Sequence, residues 1–90
     1  MKNVKESDDD YQDVILEIGK SHRVILCKDD IQWILQKSDG MRSGRRRWTG
    51  FRYTTSRTCL IAACRRLEGF LEVKHLPILE QLPLNHRSRL

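Results

Sequence analysis

The 90-residue sequence has no Asp, Glu or Lys between Gly40 and Leu67. A surface kept only for solubility mixes both signs of charge, so this stretch points to recognition of something anionic. Other scarcities exclude whole classes of protein. No apolar run approaches the roughly 20 residues needed to span a bilayer. Met1 to Asp13 lacks the basic and apolar regions of a signal peptide. The expectation is therefore a cytoplasmic chain with no membrane contact. Cysteine is limited to Cys27, Cys59 and Cys64, an odd number with no Cys-x-x-Cys pair, while His22, His75 and His86 are scattered. That pattern fits neither a disulfide framework nor a zinc site. Cys27 and Cys64 read as small buried hydrophobes. No Gly-rich phosphate loop is present, and no local base accompanies Cys59. The expectation is a non-enzyme with no metal and no cofactor.

What fills the acid-free stretch is arginine. Arg42, Arg45, Arg46, Arg47, Arg52, Arg57, Arg65 and Arg66 all fall there, with Trp48 and Tyr53 among them. Arginine offers a planar fork that matches phosphate and carboxylate and stacks on rings. Charge is divided along the chain. Residues 1–39 hold six basic and nine acidic side chains, net −3, and residues 40–90 hold eleven basic and three acidic, net +8. Such asymmetry speaks to partners and encounter rates rather than to fold.

Length allows one small domain with a modest core. Residues 1–12 read as a disordered acidic lead, 13–84 as the domain and 85–90 as a basic tail. Val14 to Ile18 and Arg23 to Cys27 are apolar, β-branched runs separated by the turn residues Gly19-Lys20-Ser21. Asp29-Asp30 marks the next turn. In Ile31 to Gln36 the side chains alternate, with Ile31, Trp33 and Leu35 on one face and Gln32, Ile34 and Gln36 on the other. Asp39-Gly40 is a hairpin signal, and Arg47 to Thr54 is the returning strand. There, parity puts Phe51 and Tyr53 on one face, toward the core. Trp48 takes the opposite parity unless Gly50 forms a bulge, so its burial is open.

Thr55 or Ser56 caps a helix in which Leu60, Cys64, Leu67 and Leu71 recur at helical spacing. Gly69 ends it. Pro77 opens a short last helix, Ile78 to Leu82. The fold class is α+β: a three- or four-stranded antiparallel meander, then a packed helix and a short C-terminal helix. The sheet face bearing Gln32, Gln36 and Arg52 is expected to be polar and open.

The stretch Trp33 to Leu67 resembles the arm-type DNA-binding domain of tyrosine recombinases and its plant transcription-factor relatives. The matching residues are the strand Ile31 to Gln36, the basic strand Arg45 to Tyr53, and Thr55 to Ala62 opening the helix. The resemblance implies a three-stranded sheet entering the major groove with a helix bracing its back. Such domains usually carry more Lys than this stretch, which has only Lys37, and that departs from the family. The segment from Gly40 to Leu67 is also similar to small uncharacterised proteins of bacterial genomes and mobile elements, which implies no activity.

Two partners fit these residues. One is nucleic acid, with duplex DNA favoured, contacted at phosphates by Arg45, Arg46 and Arg47 and flanked by Arg42, Arg52, Arg57 and Arg65, with Trp48 stacking or anchoring. The other is an acidic protein surface, engaged by a small phage or mobile-element inhibitor of the anti-defence kind. Exposed strand edges also allow a homodimer by edge pairing.

Overall fold

Each apolar run of the first half forms a strand. In a computed structural model, which describes residues 5–42 and 44–86, β1 (Val14–Ile18), β2 (His22–Leu26), β3 (Trp33–Arg42) and β4 (Arg45–Thr54) form one sheet in the order β1-β2-β3-β4. All neighbours are antiparallel. Two helices follow, α1 (Arg57–Arg65) and α2 (Glu72–Glu80). This is the expected α+β meander with two helices. No described helix is long and apolar enough to cross a membrane.

Alternation divides the sheet into two faces. Leu16, Ile18, Val24, Trp33 and Leu35 face α1 and α2, packing with Leu60, Cys64 and Leu79 in the main core. Burying side chains of this size stabilises the fold by about 1.5–3 kcal/mol each. The opposite face carries a second cluster of Tyr11, Ile25, Cys27 and Ile34.

Local chemistry explains the joints. Asp30 takes φ 58° in the β2–β3 turn, a conformation Asp tolerates. Ser56 caps α1, its hydroxyl accepting from the Cys59 amide at 3.2 Å. Gly19 and Gly69 both have positive φ, and a Cβ on Gly69 would lie 3.1 Å from the Gly19 Cα. The β1–β2 turn and the link between the helices therefore touch backbone to backbone.

Four expectations need correction. First, Asp39-Gly40 is not the hairpin turn. The β3–β4 register shifts between Ser38 and Met41, so these residues form an irregularity within β3, and the turn lies beyond Arg42. Second, α2 contains Pro77 in its interior instead of starting after it. Only the bond from position 77 to the Val73 carbonyl is lost, at a place where Val73 is 91% exposed. Third, Leu35 pairs with Arg52 while Gln36 pairs with Gly50. The extra β4 residue is Phe51, one position past the glycine expected to bulge. Trp48 and Tyr53 consequently share the face away from the helices, Phe51 keeps its expected helix side, and Arg52 passes to that side. Tyr53 is 56% exposed and not a core residue.

Fourth, the acidic lead is not a detached tail: residues 5–12 lie across the sheet face away from the helices. Arg23 binds their main chain, donating to the carbonyls of Asp8 at 2.8 Å, Glu6 at 3.1 Å and Asp9 at 3.4 Å. Gln36 donates to the Glu6 carbonyl at 2.8 Å, and the Trp48 amide to that of Ser7 at 3.0 Å. Tyr11 is buried, with its hydroxyl on the Leu26 carbonyl at 2.8 Å. The face expected to be open is thus covered by a strap, and Gln36 is only 2% exposed. At the other terminus, Asn85 bridges Ser56, and His86 contacts Asp30 at 2.9 Å. Residues 87–90 of the expected basic tail lie outside the described residues.

Candidate nucleic-acid interface

The arginines of the acid-free stretch separate into two groups once their partners are known. The first group is held by the chain itself. Arg45 pairs with Asp10 at 2.9 Å, and that hydrogen bond raises the Arg45 pKa further. Arg46 meets Asp9 at 3.1 Å and Glu17 at 3.7 Å, donates to the Lys20 carbonyl at 3.2 Å, and stacks 4.8 Å from the Trp48 ring centre. Arg57 donates to the carbonyls of Glu80 at 3.0 Å and Leu82 at 2.9 Å, closing the C-terminal end of α2. Arg65 pairs with Glu72 at 2.8 Å. Arg57 and Arg65 thus have structural partners, and the sequence reading placed both in the contact patch.

Trp48 is 2% exposed. The Arg23 guanidinium lies 4.3 Å from its ring centre, and its indole N–H donates to Asp9 at 3.0 Å. It is therefore not a free stacking surface. The indole bond first, and Arg46 after it, hold the Asp9 carboxyl below its ordinary pKa against the opposing effect of burial. Arg23 itself is fully buried, and that burial lowers its pKa. Sequence reasoning passed over Arg23; the available signal was a charged residue inside the apolar run Arg23 to Cys27.

The second group is exposed. Arg47, Arg52 and Arg66 are exposed and form no ion pair with a described residue. Alternation with Trp48 puts Arg47 on the helix-side face of β4. The bulge puts Arg52 on that same face, where it lines a shallow pocket of about 220 Å³ with Cys59, Ala62, Ala63 and Arg66. Lys37 joins them from β3, opposite Thr49. Phe51, 45% exposed, lies among these cations with its ring edge-on to His22 at 6.0 Å. Burial and the nearby Lys37 lower the His22 pKa, while Glu68 opposes them. The acids bordering this face are Glu68 and Asp39, and Asp39 accepts from Thr49 at 2.7 Å. Arg42 closes β3 opposite Arg45, and its side chain lies outside the described ones. Phe51 was expected on this helix side but in the core, and Lys37 follows Gln36, the expected end of its strand, outside the acid-free stretch.

The β3–β4 ribbon runs on to the Arg42–Arg45 pair, past Leu35, the last β3 residue of the main core. Its helix-side face carries Lys37, Arg47 and Phe51, with Arg52 and Arg66 beside α1 at the margin. Such a surface has cations for backbone phosphates and one ring face for a base. Comparison with protein-family models, curated proteins and solved structures finds no match to this chain. The resemblance to arm-type DNA-binding domains therefore rests only on the residues quoted for it.

Proposed function

We propose that this chain is a non-enzymatic nucleic-acid-binding protein, and that it binds through the helix-side face of the β3–β4 ribbon. The observation that carries the reading is that exposed Arg47, Arg52 and Arg66 form no ion pair with a described residue and share the helix-side face with Lys37 and exposed Phe51. Cations without intramolecular acids keep their full attraction for phosphate. Phe51 supplies a sequence-tolerant stacking surface for an unpaired base. A ribbon lying on one face in the major groove would use the same cations on duplex DNA.

The salt dependence follows from the number of contacts. Four phosphates neutralised on a single strand give a log–log slope of about −2.8, hence about a 50-fold loss of affinity between 50 and 200 mM salt. The same four contacts on duplex DNA give about 150-fold. The test is binding of labelled single-stranded and duplex DNA across this range, with Arg47, Arg52 and Arg66→Ala beside Arg65→Ala. Binding that falls steeply with salt, collapses in the triple variant and survives Arg65→Ala supports the reading. Weak, salt-insensitive binding that the triple variant leaves unchanged removes it and turns attention to an acidic protein partner.

A further inference from the structure

The proposed face leaves Arg45 and Arg46 unused, although they adjoin Arg47 in sequence. Both are occupied by carboxylates of the strap. Asp9 Oδ1 receives the Arg46 Nε–H at 3.1 Å and the Trp48 indole N–H at 3.0 Å. Asp10 sits 2.9 Å from the Arg45 guanidinium. One oxyanion thus lies on two converging donors, and a second lies on the neighbouring cation.

These carboxylates are not what fastens the strap. Its main chain is held by Arg23, Gln36 and the Trp48 amide, and its far end by buried Tyr11. The carboxylates also remain at the surface: the side chain of Asp9 is 27% exposed and that of Asp10 is 44% exposed. Rotation of two side chains empties the seat while the strap backbone stays in place. Exposed ion pairs of this kind exchange readily in water. The donors are charge-assisted and suit a phosphate oxygen as well as a carboxylate.

We propose that Arg45, Arg46 and the Trp48 indole N–H form a second anion seat for a nucleic-acid phosphodiester, which Asp9 and Asp10 occupy in cis in the free protein. This rests on the nucleic-acid reading above. Arg46 and the Trp48 indole lie on the strap face of β4, opposite Arg47, so a strand that uses both sets of contacts crosses the outer edge of β4, the last strand of the sheet. The strap then acts as a built-in competitor that weakens binding and shortens the contacted length.

The test uses the full chain and a labelled oligothymidylate of about 12 nucleotides, within the span that comparable single-strand sites cover. Asp9→Asn with Asp10→Asn removes the competing charges and keeps side-chain shape. Asp29→Asn with Glu80→Gln changes net charge equally at distant exposed positions. The expected result is about tenfold tighter binding for the strap variant than for this charge control. Its salt slope is also steeper by about 1.4, the value for two added single-strand contacts. Arg45→Ala with Arg46→Ala in the strap variant should abolish the gain. A gain no larger than the control's, or one that survives loss of these arginines, overturns the proposal.

A second readout needs no substitution. The Trp48 indole cross-peak of the unaltered protein should move as oligonucleotide replaces Asp9 as acceptor, and a stationary peak at saturation overturns the seat. If the unaltered protein binds through Arg47, Arg52 and Arg66 but the strap variant gains nothing, only this inference fails. If no variant binds, it fails together with the proposed function.

Discussion

Arg23→Met is the substitution that most sharply tests how the strap is held. Methionine keeps an apolar stem over Trp48 and removes every guanidinium donor. The lost contacts are the bond to Gln36 Oε1 at 2.6 Å, those to the carbonyls of Asp8 and Glu6 at 2.8 and 3.1 Å, and the longer one to Asp9 at 3.4 Å. Hydrogen bonds from a charged donor contribute about 1.5–3 kcal/mol each. The two shorter strap bonds would alone suggest about 3–6 kcal/mol. The observable loss is smaller, because a strap that lifts away offers its carbonyls to water. Gln36 Oε1, buried under it, gains water at the same time. The strap's own docking energy therefore caps the effect, and the expected loss is about 3 kcal/mol. Urea denaturation measures it, and the m-value should fall because the variant's folded state buries less surface. Hydrogen exchange at the Trp48 amide, which donates to the Ser7 carbonyl, reports strap release directly. A loss below about 1 kcal/mol with that amide still protected would refute the reasoning.

Other substitutions probe separate joints. Ser56→Ala removes the α1 cap and should cost about 1 kcal/mol in chemical denaturation, with oligonucleotide binding unchanged. Arg57→Ala should cost about 1–2 kcal/mol by freeing the Glu80 and Leu82 carbonyls, again without altering the salt slope of binding. At Gly50 a Cβ would lie 2.6 Å from the Tyr53 hydroxyl and 2.8 Å from Ile34 Cγ2. Tyr53 is exposed and can swing aside but Ile34 is buried, so Gly50→Ala should cost about 1–3 kcal/mol in thermal or urea unfolding. The pH dependence has a definite sign. Burial lowers the pKa of His75 and of His22 below the 6.5 of a free histidine. The unfolded chain therefore binds more protons just below that pH, so stability should be full above about pH 6.5 and decline as pH falls through it. Asp9, lowered from 3.8, adds a second loss in stronger acid, and urea midpoints at pH 7.5, 5.5 and 3.5 measure both.

The first strands were legible from apolar and alternating runs, with the strand count open at three or four and β3 running on to Arg42, past its expected end at Gln36. Alternation from Trp33 to Gln36 divided the faces as found, and the Ser56 cap and Leu60–Cys64 spacing placed α1, which ends at Arg65, short of the Leu67 and Leu71 that the spacing included. Errors gathered where one irregular residue changed everything after it. The bulge at Phe51 reversed the expected sides of Arg52 and Tyr53, and an Asp-Gly pair suited to a turn was used inside β3 instead. The strap was illegible for a different reason. Its eight described residues have no apolar period, and their order depends on Arg23, Gln36 and Trp48 binding main-chain carbonyls. The same distance in sequence hid which arginines were committed. The Asp9–Arg46 contact joins residues separated by 37 positions, and composition records both charges without their pairing.

The central claim is that the helix-side face of the β3–β4 ribbon takes nucleic acid. The most direct measurement is amide and side-chain shift mapping by NMR as a short single-stranded oligonucleotide is added at low salt. The account predicts the largest changes at Lys37, Arg47, Phe51, Arg52 and Arg66, with α2 silent and the changes reversed by added salt. An absence of shifts, or shifts centred on Leu71, Val73 and Ile78 of the outer helical surface, would contradict it.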